Sequence, residues 1–94
     1  MNKYIYFTPE EKARAQNTDL VSLLHAQGER PVRSGREFRT PNDPSITVRG
    51  NKWFDHSKRE GGYAVSFVQR YYRLPYQEAV LLLLGRKNGK SYEQ

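Results

Sequence analysis

Basic and aromatic side chains are interleaved in the middle of the sequence, and together they suit chemistry with a polyanion. Between residues 30 and 59 there are eight basic and three acidic residues, which supply +5 of the chain's net charge of +6. Lysines and arginines that neutralise phosphates release counterions, and aromatic rings stack on bases. The candidate nucleic-acid-binding residues are therefore Arg36, Arg39, Arg49, Lys52, Trp53, Lys58, Arg59 and Tyr63.

These residues also have an ordinary structural interpretation. The cations could form a solvated surface that only aids solubility, and Trp53, the one tryptophan, could fill the core beneath a sheet. Successive side chains of a strand point to opposite faces, so one of Trp53 and Phe54 should be buried and the other turned outward. The sequence leaves both interpretations open.

Nothing in the sequence favours catalysis. Asp55-His56-Ser57 holds a carboxylate, an imidazole and a hydroxyl, but adjacent residues on a strand cannot converge as a proton relay requires. The segment Gly85-Arg86-Lys87-Asn88-Gly89-Lys90 lacks the spacing of a phosphate-binding loop. We expect no catalytic residue in this domain and no cofactor.

Helix-start and strand signals place these residues within an α+β domain. Thr8-Pro9-Glu10-Glu11 has the pattern of a capping box, and a second helix should run from Asp19 to a stop at Gly28. Glycines and prolines then separate three short strands, at residues 37–39, 45–48 and 52–54, which predict a three-stranded antiparallel sheet. Apolar periodicity predicts two further helices, at residues 64–72 and 75–85.

The length of 94 residues fits one domain, which we place at residues 1–85, with residues 86–94 as a polar tail or the start of a linker. The first residues contain no apolar run typical of a signal peptide, and the apolar stretch at 79–84 is too short to span a bilayer. A cytoplasmic protein without a membrane partner is therefore expected.

Four sequence segments, in order, resemble the N-terminal zinc ribbon of bacterial, plasmid and phage DNA primases. In that family a Thr-Asp-Ile-Val helix start, a Thr-Pro-Ser-Phe-x-Val strand, a Gly-turn-Ala-Ile-x-Phe-Leu helix and a Phe-x-Glu-Ala helix start follow one another. The corresponding segments are Thr18-Asp19-Leu20-Val21, Asp43-Pro44-Ser45-Ile46-Thr47-Val48, Gly61-Gly62-Tyr63-Ala64-Val65-Ser66-Phe67-Val68 and Tyr76-Gln77-Glu78-Ala79-Val80. The resemblance covers roughly residues 15–85.

The zinc ligands of the family are missing from this sequence. The resemblance places one ligand pair on Asp55 and Lys58 and the other near Arg36 and Arg39, and the chain has no cysteine. Lysine and arginine do not ligate zinc at neutral pH, so we expect a metal-free ribbon. A salt bridge between Asp55 and an arginine of the 36–39 segment is the expected substitute.

The resemblance implies a module that offers a basic sheet face to single-stranded DNA. It would belong to a primase-like protein of replication or plasmid mobilisation, with a downstream Toprim or polymerase domain, or a helicase, as partner. The alternative is a metal-free protein-interaction module that docks a replication partner through the tyrosine-rich segment 63–72.

Overall fold

A computed structural model of the protein describes residues 6–85. The chain forms an α+β fold in which two helices precede an antiparallel sheet and two helices follow it. The helices are α1 (Pro9–Gln16), α2 (Leu20–Ala26), α3 (Ala64–Tyr71) and α4 (Tyr76–Leu83), and the strands are β1 (Val32–Ser34), β2 (Glu37–Arg39), β3 (Ile46–Arg49), β4 (Lys52–Asp55) and β5 (Glu60–Tyr63). The predicted polar tail at 86–94 lies outside the described residues.

Local capping explains where the first two helices begin. The Thr8 hydroxyl accepts a hydrogen bond from the Glu11 amide at 3.1 Å, and the Glu11 carboxylate accepts one from the Thr8 amide at 2.9 Å. Asp19 caps α2 in the same way, accepting from the Ser22 amide at 3.0 Å. Both helix starts predicted from the sequence are confirmed, and Gly28 follows α2 with a φ of 83°.

The sheet has five strands in sequential order, so the prediction of three strands was wrong. The two missed strands, β1 and β5, lie at the edges. β1 contains only Val32-Arg33-Ser34 between a proline and a glycine, and β5 contains the Gly61-Gly62 pair, which is more typical of a loop. Neither segment has the alternation of apolar and polar residues that predicts a strand. Each is a strand because its backbone pairs with a neighbouring strand, and its own side chains do not indicate this.

All the helices lie on one side of the sheet, and the core lies between the two layers. Ile46, Val48 and Trp53 face the helices from the central strands. Leu20 of α2 and Phe67 of α3 are fully buried against them. The remaining members of the core come mostly from the helices: Phe7, Ala15, Leu23, Leu24, Ala64, Val65, Val68, Ala79, Val80, Leu81 and Leu83.

Polar contacts tie the end of α3 to the sheet and to the loop after α2. Arg70 pairs with Asp55 of β4 and, at 2.7 Å, with Glu60 of β5. The predicted partner of Asp55 in the 36–39 segment was therefore wrong, because α3 passes directly over the core-facing side of β4, where Asp55 is buried. The chain then turns at Arg73, which has a left-handed φ of 57°, before α4 begins.

The Tyr71 and Tyr72 hydroxyls donate to the two carboxylate oxygens of Glu29, at 2.7 and 2.6 Å. Burial, together with these hydrogen bonds, raises the pKa of Tyr71 to about 12 and raises the pKa of Tyr72 further. Both hydroxyls thus remain protonated donors at neutral pH. The tyrosine-rich part of α3 is engaged within the fold.

Candidate nucleic-acid interface

The side of the sheet that faces away from the helices forms a continuous surface, which we call the outer face. Alternation along each strand puts Trp53 and Asp55 toward the helices and Lys52 and Phe54 toward the outer face. In residues 6–85 no helix packs on this side, since α2 and α3 contact β3, β4 and β5 through the core. Its strand residues are Val32, Ser34, Glu37, Arg39, Thr47, Arg49, Lys52, Phe54, Gly61 and Tyr63.

Two exposed aromatic rings lie on the outer face. Phe54 is 40% exposed and Tyr63 is 50% exposed. Phe54 lies between Thr47 on β3 and Gly61 on β5, and the missing side chain at Gly61 leaves room for the ring, because a Cβ there would approach Phe54 Cδ1 to 3.0 Å. The His56 ring meets Phe54 edge-on with centroids 4.9 Å apart. The outer face thus presents exposed aromatic surface on β4 and β5.

Three of the predicted cations lie on the same face of the sheet as these rings. Arg49 and Lys52 are cross-strand neighbours, and Lys52 also pairs with Tyr63, with its Nζ 5.9 Å from the ring centroid. Arg39 is the neighbour of Thr47 and donates a hydrogen bond to the Pro44 carbonyl at 2.9 Å. All three cationic side chains are exposed. The outer face therefore combines positive charge with stacking surface.

The other three predicted cations lie in turns at the ends of the sheet. Arg36 follows Gly35 in the β1–β2 turn, whereas Lys58 and Arg59 lie in the β4–β5 turn, where Arg59 has a left-handed φ of 56°. Since consecutive turns of an antiparallel meander alternate between its two ends, Arg36 lies at the opposite end from Lys58 and Arg59. The structure therefore does not gather all the predicted cations into one cluster.

Trp53 is buried, which removes it from the set of stacking candidates. Its side chain is 7% exposed, its indole Nε1 donates to the Ser66 hydroxyl at 2.9 Å, and its ring packs against Phe67. The hydrogen bond allows Trp53 to be buried, because a buried indole N–H needs an acceptor. The outward aromatic residue that the alternation predicted is Phe54.

Asp55, His56 and Ser57 do not converge on a common point. The Ser57 hydroxyl donates to Asp55 at 2.7 Å, while His56 Nε2 contacts the Thr47 hydroxyl at 3.1 Å. The Ser57 hydroxyl, followed by the backbone amides of Ser57 and Lys58 and the charge of Arg70, holds the pKa of Asp55 below its usual range. A carboxylate stabilised in this way is a structural anchor and a poor proton acceptor.

The positions that correspond to the family's zinc ligands are also not brought together as one set. Arg36 lies at one end of the sheet and Asp55 and Lys58 at the other. Within residues 6–85, no three histidine, cysteine, aspartate or glutamate side chains are grouped so that they could hold a metal ion.

Sequence reasoning missed Glu37 as a site residue. A shallow depression of about 270 Å³ lies on the outer face, and its lining includes Glu37, Thr47, Arg49, Lys52 and Phe54; we call it the sheet depression. A lone glutamate in a basic segment carries no signal of its own. Only the pairing of β2 with β3 brings it to the two cations.

The chain matches no protein-family model and no curated protein. In the part of the chain that the structure describes, none of the helices has the length and apolar character needed to cross a bilayer.

Proposed function

We propose that the protein binds single-stranded nucleic acid across the outer face, with single-stranded DNA as the favoured ligand. The observation that carries the proposal is the placement of two exposed rings, Phe54 and Tyr63, on the same face of the sheet as the cations Arg39, Arg49 and Lys52. Cations along a surface meet the phosphates, and the rings stack on the bases.

The rings favour a single strand over a duplex. A base in a duplex has both faces covered by its neighbours, so it cannot stack on a side chain without leaving the helix. Bases of a single strand are free to do so, and each stacked base typically contributes about 1–3 kcal/mol. The proposed binding mode therefore uses Phe54 and Tyr63 as two stacking positions and the three cations as phosphate contacts.

We also propose that the domain acts in a cytoplasmic primase-like protein of replication or plasmid mobilisation, without catalysing a reaction by itself. Support for this comes from the four sequence segments that resemble the primase zinc ribbon. A Toprim or polymerase domain, or a helicase, is the partner that this proposal implies.

The alternative role, docking of a protein through segment 63–72, has less support. The Tyr71 and Tyr72 hydroxyls are engaged by Glu29, and Phe67 and Val68 are buried, so most of this segment serves the core. Tyr63 is exposed, but it belongs to the outer face.

A titration of labelled oligothymidine at several salt concentrations tests the proposal. With three cations on phosphates, the logarithm of the association constant should fall with the logarithm of salt concentration with a slope of about −2. Duplex DNA should compete weakly. If the protein binds no oligonucleotide at low salt, or binds duplex DNA more tightly, the proposal is wrong.

Two variants and a charge-matched control locate the interface. The double variant Arg49→Ala/Lys52→Ala should weaken binding and reduce the salt slope to about −0.7, whereas Phe54→Ala should weaken binding and leave the slope unchanged. The control Lys12→Ala/Arg14→Ala removes the same charge from exposed positions of α1. It should bind like the wild type, apart from a small effect of net charge.

A further inference from the structure

The sheet depression contains one residue whose negative charge is unfavourable on a surface that binds phosphates. Of the strand residues that form the outer face, Glu37 alone is acidic. It lines the depression together with Arg49 and Lys52. A carboxylate repels a polyanion and so lowers general affinity, unless it makes a contact that compensates.

Glu37 is not engaged by either cation. Both ion pairs found in residues 6–85 use Arg70, on the opposite side of the sheet. Arg49 and Lys52 are therefore within the same depression as Glu37 without neutralising it. The depression is lined by a carboxylate without an ion-pair partner among residues 6–85, by two cationic side chains and by Phe54.

This set of groups matches one base better than the others. The Watson–Crick edge of guanine presents two adjacent donors, N1–H and N2–H, which a carboxylate accepts through both oxygens, and next to them the O6 acceptor. Adenine presents a ring acceptor beside its amino group, and thymine places carbonyls on both sides of its single N–H. Cytosine has one amino donor next to acceptors, so it can satisfy only half of a carboxylate.

We propose that the sheet depression selects an unpaired guanine. The base stacks on Phe54, the Glu37 carboxylate accepts from its N1–H and N2–H, and Arg49 or Lys52 donates to O6. This inference rests on the proposed function and assigns base specificity to the same face. Glu37 is then a specificity-determining residue, and the cations around it serve both the base and the backbone.

The test uses oligothymidine heptamers with a single central dG, dA, dC or dT, titrated at low salt against the 94-residue chain. We expect the dG oligonucleotide to bind about tenfold more tightly than the other three. Replacing dG by deoxyinosine, which lacks the N2 amino group, should remove a large part of this preference. In Glu37→Gln the preference should fall to about one, while affinity for the dT oligonucleotide stays equal or rises.

The control Glu10→Gln removes one negative charge from an exposed position of α1, and it should keep the preference for dG. The inference is overturned if the wild type binds all four oligonucleotides equally or prefers dC. It is also overturned if Glu37→Gln strengthens binding to all four by the same factor, because Glu37 would then only repel phosphates. Equal binding leaves the proposed function standing, whereas absence of binding to every oligonucleotide overturns both.

Discussion

At the scale of single residues, Trp53 and Phe54 are neighbours in the chain but lie on opposite faces of the sheet. Trp53 is enclosed by Phe67 and Ser66, and Phe54 is open to solvent. Sequence alternation predicted that one ring would be outward, but it could not say which. The deciding contact joins residues thirteen positions apart, and a pattern within one strand carries no information on it.

Because Trp53 is buried between the sheet and the helices, its fluorescence should report on the core and not on the outer face. We expect single-stranded DNA to leave Trp53 fluorescence almost unchanged, because in the proposed binding mode the base stacks on the other side of the sheet. The matched variant Trp53→Phe/Phe54→Trp moves the indole to the outer face, and there binding should quench the emission strongly. Strong quenching of the wild type by an oligonucleotide would contradict the assignment of the interface.

At the scale of elements, the helices were more predictable than the sheet. Their starts depend on caps within a few residues, such as Thr8 with Glu11 and Asp19 with Ser22, so the sequence contains the whole interaction. β1 and β5 depend on partners elsewhere in the chain. β5 in particular needs glycine where it approaches β4, which gives it the composition of a loop.

Alanine substitutions in β5 test this close approach. A Cβ at Gly61 would lie 2.4 Å from the Trp53 carbonyl oxygen, so Gly61→Ala must displace one of the two strands. We expect a loss of about 1–3 kcal/mol in the free energy of unfolding, measured by urea denaturation. Gly62→Ala should also cost stability, by a different route, because its Cβ would lie 2.5 Å from the Ser66 hydroxyl and would force it away from the Trp53 indole N–H. A Gly61→Ala variant as stable as the wild type would contradict the pairing of β4 with β5.

At the scale of the whole molecule, one side of the sheet forms the core with the helices and the other side is open. The helices cover one side of the sheet and supply most of the core, while the other side holds the candidate interface. The basic character of the middle segment was evident in the sequence. The distribution of these basic residues over the outer face and two turns was not evident, because it depends on the order and pairing of the strands.

The Asp55 carboxylate, which joins β4 to α3 through Arg70, predicts how the stability of the fold depends on pH. The folded-state pKa of Asp55 is lowered, so its contribution is present above the unfolded pKa of about 4 and is lost as the pH falls through the folded value. Asp55→Asn should be less stable at neutral pH but should lose less stability than the wild type between about pH 5 and pH 2. Ser57→Ala should fall between the two. Identical acid dependence of wild type and Asp55→Asn, measured by urea denaturation, would contradict this role.

The left-handed backbone conformation at Arg73 suggests substitutions that would make the protein more stable for biophysical work. A side chain in this conformation carries a steric penalty that glycine avoids, and asparagine tolerates the conformation better than most residues. Arg73→Gly or Arg73→Asn would relieve the penalty just after the end of α3, outside the strands that form the outer face. Crystallisation trials and long NMR acquisitions could then start from a more stable variant in which the outer-face residues are unchanged.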